Sequence, residues 1–137
     1  INMSIQEIDI VTYKQDLTVR KQDKSMYGEI LTPFSLIEDM FSMLPITAFK
    51  QKNKCWLDTG AGSGFFSMVL YHKLYEGLRD QIPTHNARHK HIIENMIYMV
   101  ELREDNIVKL RKLFGDNANV IYCDYLSADY NPFLLIF

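Results

Sequence analysis

Apolar positions along this chain follow two alternating rhythms. Short continuous apolar runs end in an acid: Cys55-Trp56-Leu57 before Asp58, Asn95 to Val100 before Glu101, and Asn119 to Cys123 before Asp124. They read as buried strands over residues 54–58, 95–101 and 119–123. Between them the apolar spacing becomes helical, first at Phe66, Val69, Leu70 and Leu74, then at Ile107, Leu110, Leu113 and Phe114. The second of these helices is predicted over 104–114. Glu104 and Asp105 suit its first turn, Lys109, Arg111 and Lys112 its later turns, and Gly115 its C-terminal cap. Upstream, Thr32 is a good N-cap and Pro33 a good first helical residue for Phe34, Ile37, Phe41 and Leu44, a run that Pro45 ends. Residues 76–91 break the pattern with Gly77, Pro83, Asn86 and the basic run Arg88-His89-Lys90-His91, and read as a surface loop. Strand and helix alternate, which predicts an α/β fold with a parallel sheet and right-handed crossovers.

The first strand leads into Asp58-Thr59-Gly60-Ala61-Gly62-Ser63-Gly64-Phe65-Phe66, with glycines at alternate positions before a helix expected to open at about Ser63. Glycine lets a ligand approach the main chain closely, and an opening helix offers free N–H groups. A dinucleotide fingerprint would place its third glycine at position 65, which is Phe65 here. A phosphate-cradling loop would need Gly-Lys followed by Ser or Thr, and none exists. The turn is therefore shaped for close approach without a pyrophosphate, and Asp58 adds negative charge suited to an ammonium or sulfonium. Glu101, at the tip of the second strand, stands where an acid can accept hydrogen bonds from both ribose hydroxyls. The plainer readings are a tight turn without a ligand and a strand-end acid that faces water.

Composition narrows the class. The 137 residues suffice for one domain with one core, and a net charge of −2 creates no global pull toward nucleic acid. No apolar run approaches membrane-span length, so a soluble globular chain without membrane contact is expected. Cys55 and Cys123 each fall in a predicted strand and read as small buried hydrophobes in a reducing compartment. With no signal peptide in view, a cytoplasmic location is expected. Residues 1–24 mix Ile5, Ile8, Ile10 and Val11 with Lys14, Arg20, Lys21 and Lys24, and form an N-terminal extension, read as solvated or as a basic arm on nucleic acid. His85, His89 and His91 have no cysteine or acid beside them in the loop, so no metal site is expected there, and a charged loop near a polyanion is the better reading. The chain begins at Ile1 and stops inside Leu134-Leu135-Ile136-Phe137, so both ends read as cuts in a longer protein.

Asp-Thr-Gly-Ala-Gly-Ser-Gly-Phe-Phe at 58–66 resembles the first motif of class I S-adenosylmethionine-dependent methyltransferases. More narrowly it resembles the Asp-Pro-x-x-Gly-Ser-Gly-x-Phe form of amino-group methyltransferases, with Thr59 at the usual Pro and Gly60-Ala61 where Ala-Cys is common. Gly28-Glu29-Ile30-Leu31-Thr32-Pro33 resembles the Gly-Glu-Phe-x-Thr-Pro motif that precedes the glycine loop in adenine-N6 DNA methyltransferases. Glu94 to Glu101 resembles that family's second motif, where Gly often replaces Met99, and Asp124-Tyr125 match its acid and aromatic after the third strand. The resemblance covers roughly residues 25–137, with these motifs in order.

The resemblance implies a Rossmann-like methyltransferase fold with strand order 3-2-1-4, a parallel sheet with helices on both faces, truncated after a fourth strand at 134–137. Residues 25–137 would be the cofactor-binding half of the domain, and the cofactor S-adenosyl-L-methionine. Thr32 and the turn at Gly60, Ala61, Gly62 and Gly64 would hold its methionine end, Asp58 its ammonium, Glu101 its ribose, Asp124 its adenine amine and Tyr125 the adenine ring. The implied substrate is N6 of an adenine flipped out of DNA, in an enzyme of restriction-modification type. Asn131-Pro132-Phe133 lacks the second Pro of the family's Asn-Pro-Pro-Tyr/Phe motif and reads as a turn before strand four. The catalytic motif is therefore expected beyond Phe137, and no residue of this chain is assigned to catalysis. Strand four would be an open apolar edge, covered by a second copy of the chain or by further C-terminal residues. RNA and protein-glutamine methyltransferases share the glycine loop, and a non-catalytic nucleotide-binding or interaction domain is the alternative of a different class.

Overall fold

The computed structural model describes Ile5 and residues 34–123. In chain order these form α1 (Phe34–Ser42), a 3-10 helix (Ile46–Lys50), β1 (Trp56–Asp58), α2 (Phe65–Gly77), α3 (His85–His91), a π-helix (Ile92–Met96), β2 (Ile97–Glu101), α4 (Glu104–Phe114) and β3 (Asn119–Tyr122). The three strands are parallel in the order β1-β2-β3, with Asp58 level with Met99 and Glu101 level with Tyr122. The architecture is α/β, as the alternation of patterns requires, and this order is the 3-2-1 portion of the expected sheet. The strand expected at 134–137 lies outside the described residues, as do Thr32, Asp124 and Tyr125.

Both connections step the same way across the sheet, so right-handed crossovers put α2 and α4 on one face. There they lie side by side: a Cβ added at Gly64, at the start of α2, would meet Leu110, Leu113 and Phe114 of α4. α3 and the π-helix follow α2 in the same β1-to-β2 connection. The core between helices and sheet holds Met68, Leu70 and Leu74 of α2, Ile97 and Met99 of β2, and Leu110 and Phe114 of α4. Burying one such side chain contributes about 1.5–3 kcal/mol. Ile5 is part of this core, and its N–H donates to the Leu113 carbonyl at 2.7 Å. At that position, then, the N-terminal extension is not solvated.

Local signals set most boundaries. α4 spans the predicted residues, and Gly115 ends it at φ 96°, donating its N–H to the Arg111 carbonyl. α1 buries Ile37 and Phe41 and stops at Ser42, short of Leu44. Its last turn tightens through bonds from Met43 to Met40 and from Leu44 to Phe41, three residues apart. α2 opens at Phe65 rather than near Ser63, because Gly64 has φ 91° and cannot be helical.

Of the surface loop that the polar pattern suggests over residues 76–91, only 78–84 is one, mostly exposed between two helices. α2 runs on to Gly77, and His85–His91 are helical. A seven-residue helix of this composition has no stability of its own, so packing must supply it. Tyr71 shares a hydrogen bond with His89 Nδ1 at 2.8 Å, and Tyr75 another with His85 Nδ1. Arg88 donates to the Tyr75 carbonyl at 2.9 Å while its guanidinium lies 3.9 Å above the Tyr75 ring. Arg88 is buried, so this member of the basic run is not presented to a polyanion. His91 bonds the Lys52 carbonyl at 2.7 Å. The histidines thus dock the insertion on α2 and on the turn before β1. Among the described residues no group of three His, Cys, Asp or Glu side chains gathers as a metal would need.

The π-helix delays β2 to Ile97, two residues later than the apolar run suggests. Asn119 Nδ2 donates to its Ile93 and Glu94 carbonyls and to that of Ile97, the first residue of β2, at 3.0–3.3 Å. The strands are also shorter than expected at the cysteines. Cys55 precedes β1 and Cys123 follows β3, both half-buried rather than buried in strands. No helix among the described residues is long and apolar enough to cross a membrane.

Docking through histidine makes stability depend on pH. Burial, with His85 nearby, holds His89 below its ordinary value of 6.5. The unfolded chain therefore takes up this proton first as pH falls, and stability is lost from about pH 6.5 downward. We expect the urea midpoint to fall over that interval in the native protein and to fall less steeply in His89→Asn. Equal slopes for the two would remove His89 from the docking.

Candidate functional site

β1 ends at Asp58, and the chain then turns over the tip of β2. The Ala61 N–H donates to the Val100 carbonyl at 3.0 Å, and the Gly64 N–H to the Ala61 carbonyl at 2.8 Å. The turn needs left-handed backbone at Gly62, φ 54°, and at Gly64, φ 91°. Gly64 has a second constraint, because its missing side chain is what lets α4 approach α2.

Gly60 is different. Its φ is not positive, and a Cβ built there would meet nothing within 4 Å. Neither backbone conformation nor packing within the described residues calls for glycine at this position.

Two carboxylates converge on this turn. Asp58 Oδ1 accepts from the Gly60 N–H at 3.3 Å and Oδ2 from the Ser67 hydroxyl at 2.8 Å. Glu101, 8% exposed, accepts from the Gly62 N–H at 2.5 Å through Oε2, and from the Leu102 and Arg103 N–H groups at 3.0 and 3.1 Å through Oε1. Glu101 is thereby a clasp between the glycine turn and the start of the segment leading into α4. Burial, with the neighbouring Glu101 charge, pushes the Asp58 carboxyl above its ordinary value, while the Ser67 and Gly60 donors pull the other way. The nearest basic side chain in sequence, Arg103, is turned to Asp105, which it meets at 2.8 Å. The rim of the turn is thus acidic, suited to a ligand that carries positive charge and hydroxyl donors.

Of the residues singled out from sequence, Asp58, Gly60, Ala61, Gly62, Gly64 and Glu101 come together here. Thr32, Asp124 and Tyr125 fall outside the described residues. The Ala61 side chain is buried and its N–H is used by Val100, so its contribution is to shape the turn. Sequence reasoning missed Ser67. Its signal was a hydroxyl among the apolar positions of α2, three residues after Gly64. No known protein-family profile matches the chain, and no curated protein matches it.

Proposed function

We propose that this chain is the cofactor-binding portion of a Rossmann-like, S-adenosylmethionine-dependent methyltransferase acting on N6 of adenine in DNA. The observation that carries the reading is Gly60, where neither its backbone conformation nor any described residue calls for glycine, beside two convergent carboxylates. A P-loop or dinucleotide site wants an anion-binding turn, and the Asp58 carboxylate beside this one opposes that, whereas an acid at Glu101 serves a ribose in either kind of site. The cofactor supplies a methyl group activated on a sulfonium. Around it, the residues of this chain bind and orient. Asp58 presents negative charge to the ammonium and sulfonium. Glu101, already fixed by backbone donors, offers its remaining lone pairs to ribose hydroxyls. Gly60 lets the methionine end lie against the main chain. Thr32, Asp124 and Tyr125 take the roles that the resemblance implies, on the methionine end and on the adenine. The choice of adenine in DNA rests on the Gly-Glu-Ile-Leu-Thr-Pro segment at 28–33.

The test is calorimetric titration of S-adenosylmethionine into the protein, with Gly60→Ala beside the native chain. Alanine should leave the melting temperature unchanged or slightly raised, since its Cβ meets nothing and the unfolded chain loses entropy. It should nevertheless weaken binding about tenfold by filling the space of close approach. Absence of measurable binding to the native protein would defeat the reading, and unchanged affinity in Gly60→Ala would remove Gly60 from the site.

A further inference from the structure

We propose that Ser67 is a positioning residue of this site: its hydroxyl fixes the direction of the Asp58 carboxylate and keeps it in the charged form that a cationic ligand requires. The inference rests on the reading of the turn as a site for a sulfonium-bearing nucleoside.

Ser67 is wholly buried, flanked along α2 by the buried Met68, Val69 and Leu70. A helical serine commonly bonds back to a carbonyl of the preceding turn. Here the hydroxyl instead reaches out of the helix to Asp58 Oδ2 at 2.8 Å. Packing alone does not call for it, because alanine favours the helix more and carries no polar atom to satisfy. What the hydroxyl serves is therefore Asp58.

That carboxylate needs the help. Facing it from β2 is Glu101, a like charge held in place by its own backbone donors. Arg103, in the segment after β2, is engaged with Asp105. The first two turns of α2 carry no charged side chain. Lys54, before β1, lies 5.0 Å from the Trp56 ring centre. The donors that favour the ionised form are Ser67 and the longer bond from Gly60, and of these Ser67 is the stronger. Without Ser67, Asp58 holds its proton to higher pH, and below that titration a cation entering the site competes with the proton.

The experiment is Ser67→Ala in the full chain, read in two ways. Carboxyl-carbon NMR of the ligand-free protein should show Asp58 titrating at higher pH in the variant than in the native protein. Calorimetry at two pH values where both proteins are folded should show S-adenosylmethionine binding about tenfold weaker in the variant at the lower pH, with the loss shrinking at the higher. An unmoved Asp58 titration, or an equal loss of affinity at both pH values, overturns the proposal, since a merely structural serine would do that. Should alanine prevent folding, Ser67→Cys, with its weaker donor, must shift the Asp58 titration the same way, and no shift overturns the proposal. Failure of the native protein to bind S-adenosylmethionine would defeat the proposed function, while the Asp58 titration would still decide the role of Ser67.

Discussion

Replacing Gly64 with alanine should destabilise the protein by about 2–6 kcal/mol. Two costs add. The backbone at Gly64 has φ 91°, a conformation that costs a residue with a Cβ on the order of 1–3 kcal/mol. The new Cβ would also stand 2.9 Å from Leu110 Cδ2, 3.0 Å from Phe114 Cε2 and 3.2 Å from Leu113 Cδ2. Leu110 and Phe114 are fully or almost fully buried, so these side chains or α4 itself must give way, at about 1–3 kcal/mol for overpacking. Urea denaturation checks this: the midpoint should drop while the slope holds. Gly60→Ala, four residues upstream, is the internal control and should change stability by no more than about 1 kcal/mol. A Gly64→Ala protein as stable as the control would mean that the close packing of α2 on α4 does not hold in solution.

Glu101→Ala should have the largest effect on the site. Its carboxylate accepts from Gly62, Leu102 and Arg103, so removal leaves these N–H groups without that acceptor, and the turn is held to β2 through the Ala61–Val100 backbone bond without the Glu101 clasp. Hydrogen bonds to a charged group contribute about 1.5–3 kcal/mol each, and those nearest water recover most of it, so a net destabilisation of about 2–4 kcal/mol is expected. Affinity for S-adenosylmethionine should fall about tenfold or more, because the ribose acceptor and the turn's preorganisation are lost together. Glu101→Gln separates the two effects. Its amide oxygen can still accept from one side, so it should recover part of the stability while leaving affinity low. The measurements are urea denaturation and calorimetry at a temperature where both variants are folded. Native-like affinity in folded Glu101→Ala would take Glu101 out of the binding site. Native-like stability would show that the clasp contributes nothing.

Much of the candidate site was legible before any coordinates. Asp58, the glycine turn and Glu101 are marked by apolar runs that end in an acid, and strand ends in a parallel sheet meet at one rim. The partners of these acids were not legible. The pattern offers Asp58 to a ligand's ammonium, whereas the structure first commits its oxygens to Gly60 and Ser67. It offers Glu101 to solvent or ribose, whereas the side chain clasps a turn 39 residues earlier in the chain. Such choices depend on side-chain direction at the end of a sheet, and a one-dimensional pattern does not encode it.

Sequence by itself determined the elements whose causes are local. α4 matched its predicted limits because dipole-matched charges and a terminal glycine act within one turn of the residues they govern. The parallel sheet followed from alternating apolar periods. Only the tertiary structure decided residues 85–96, where a polar stretch becomes a helix and a π-turn because Tyr71, Tyr75 and Asn119 hold it. Only the structure separated Gly64, fixed by the packing of α4, from Gly60, which its surroundings leave open. The physical reason is the same in each case: burial and hydrogen bonding to residues distant in sequence outweigh the weak preferences of a short segment.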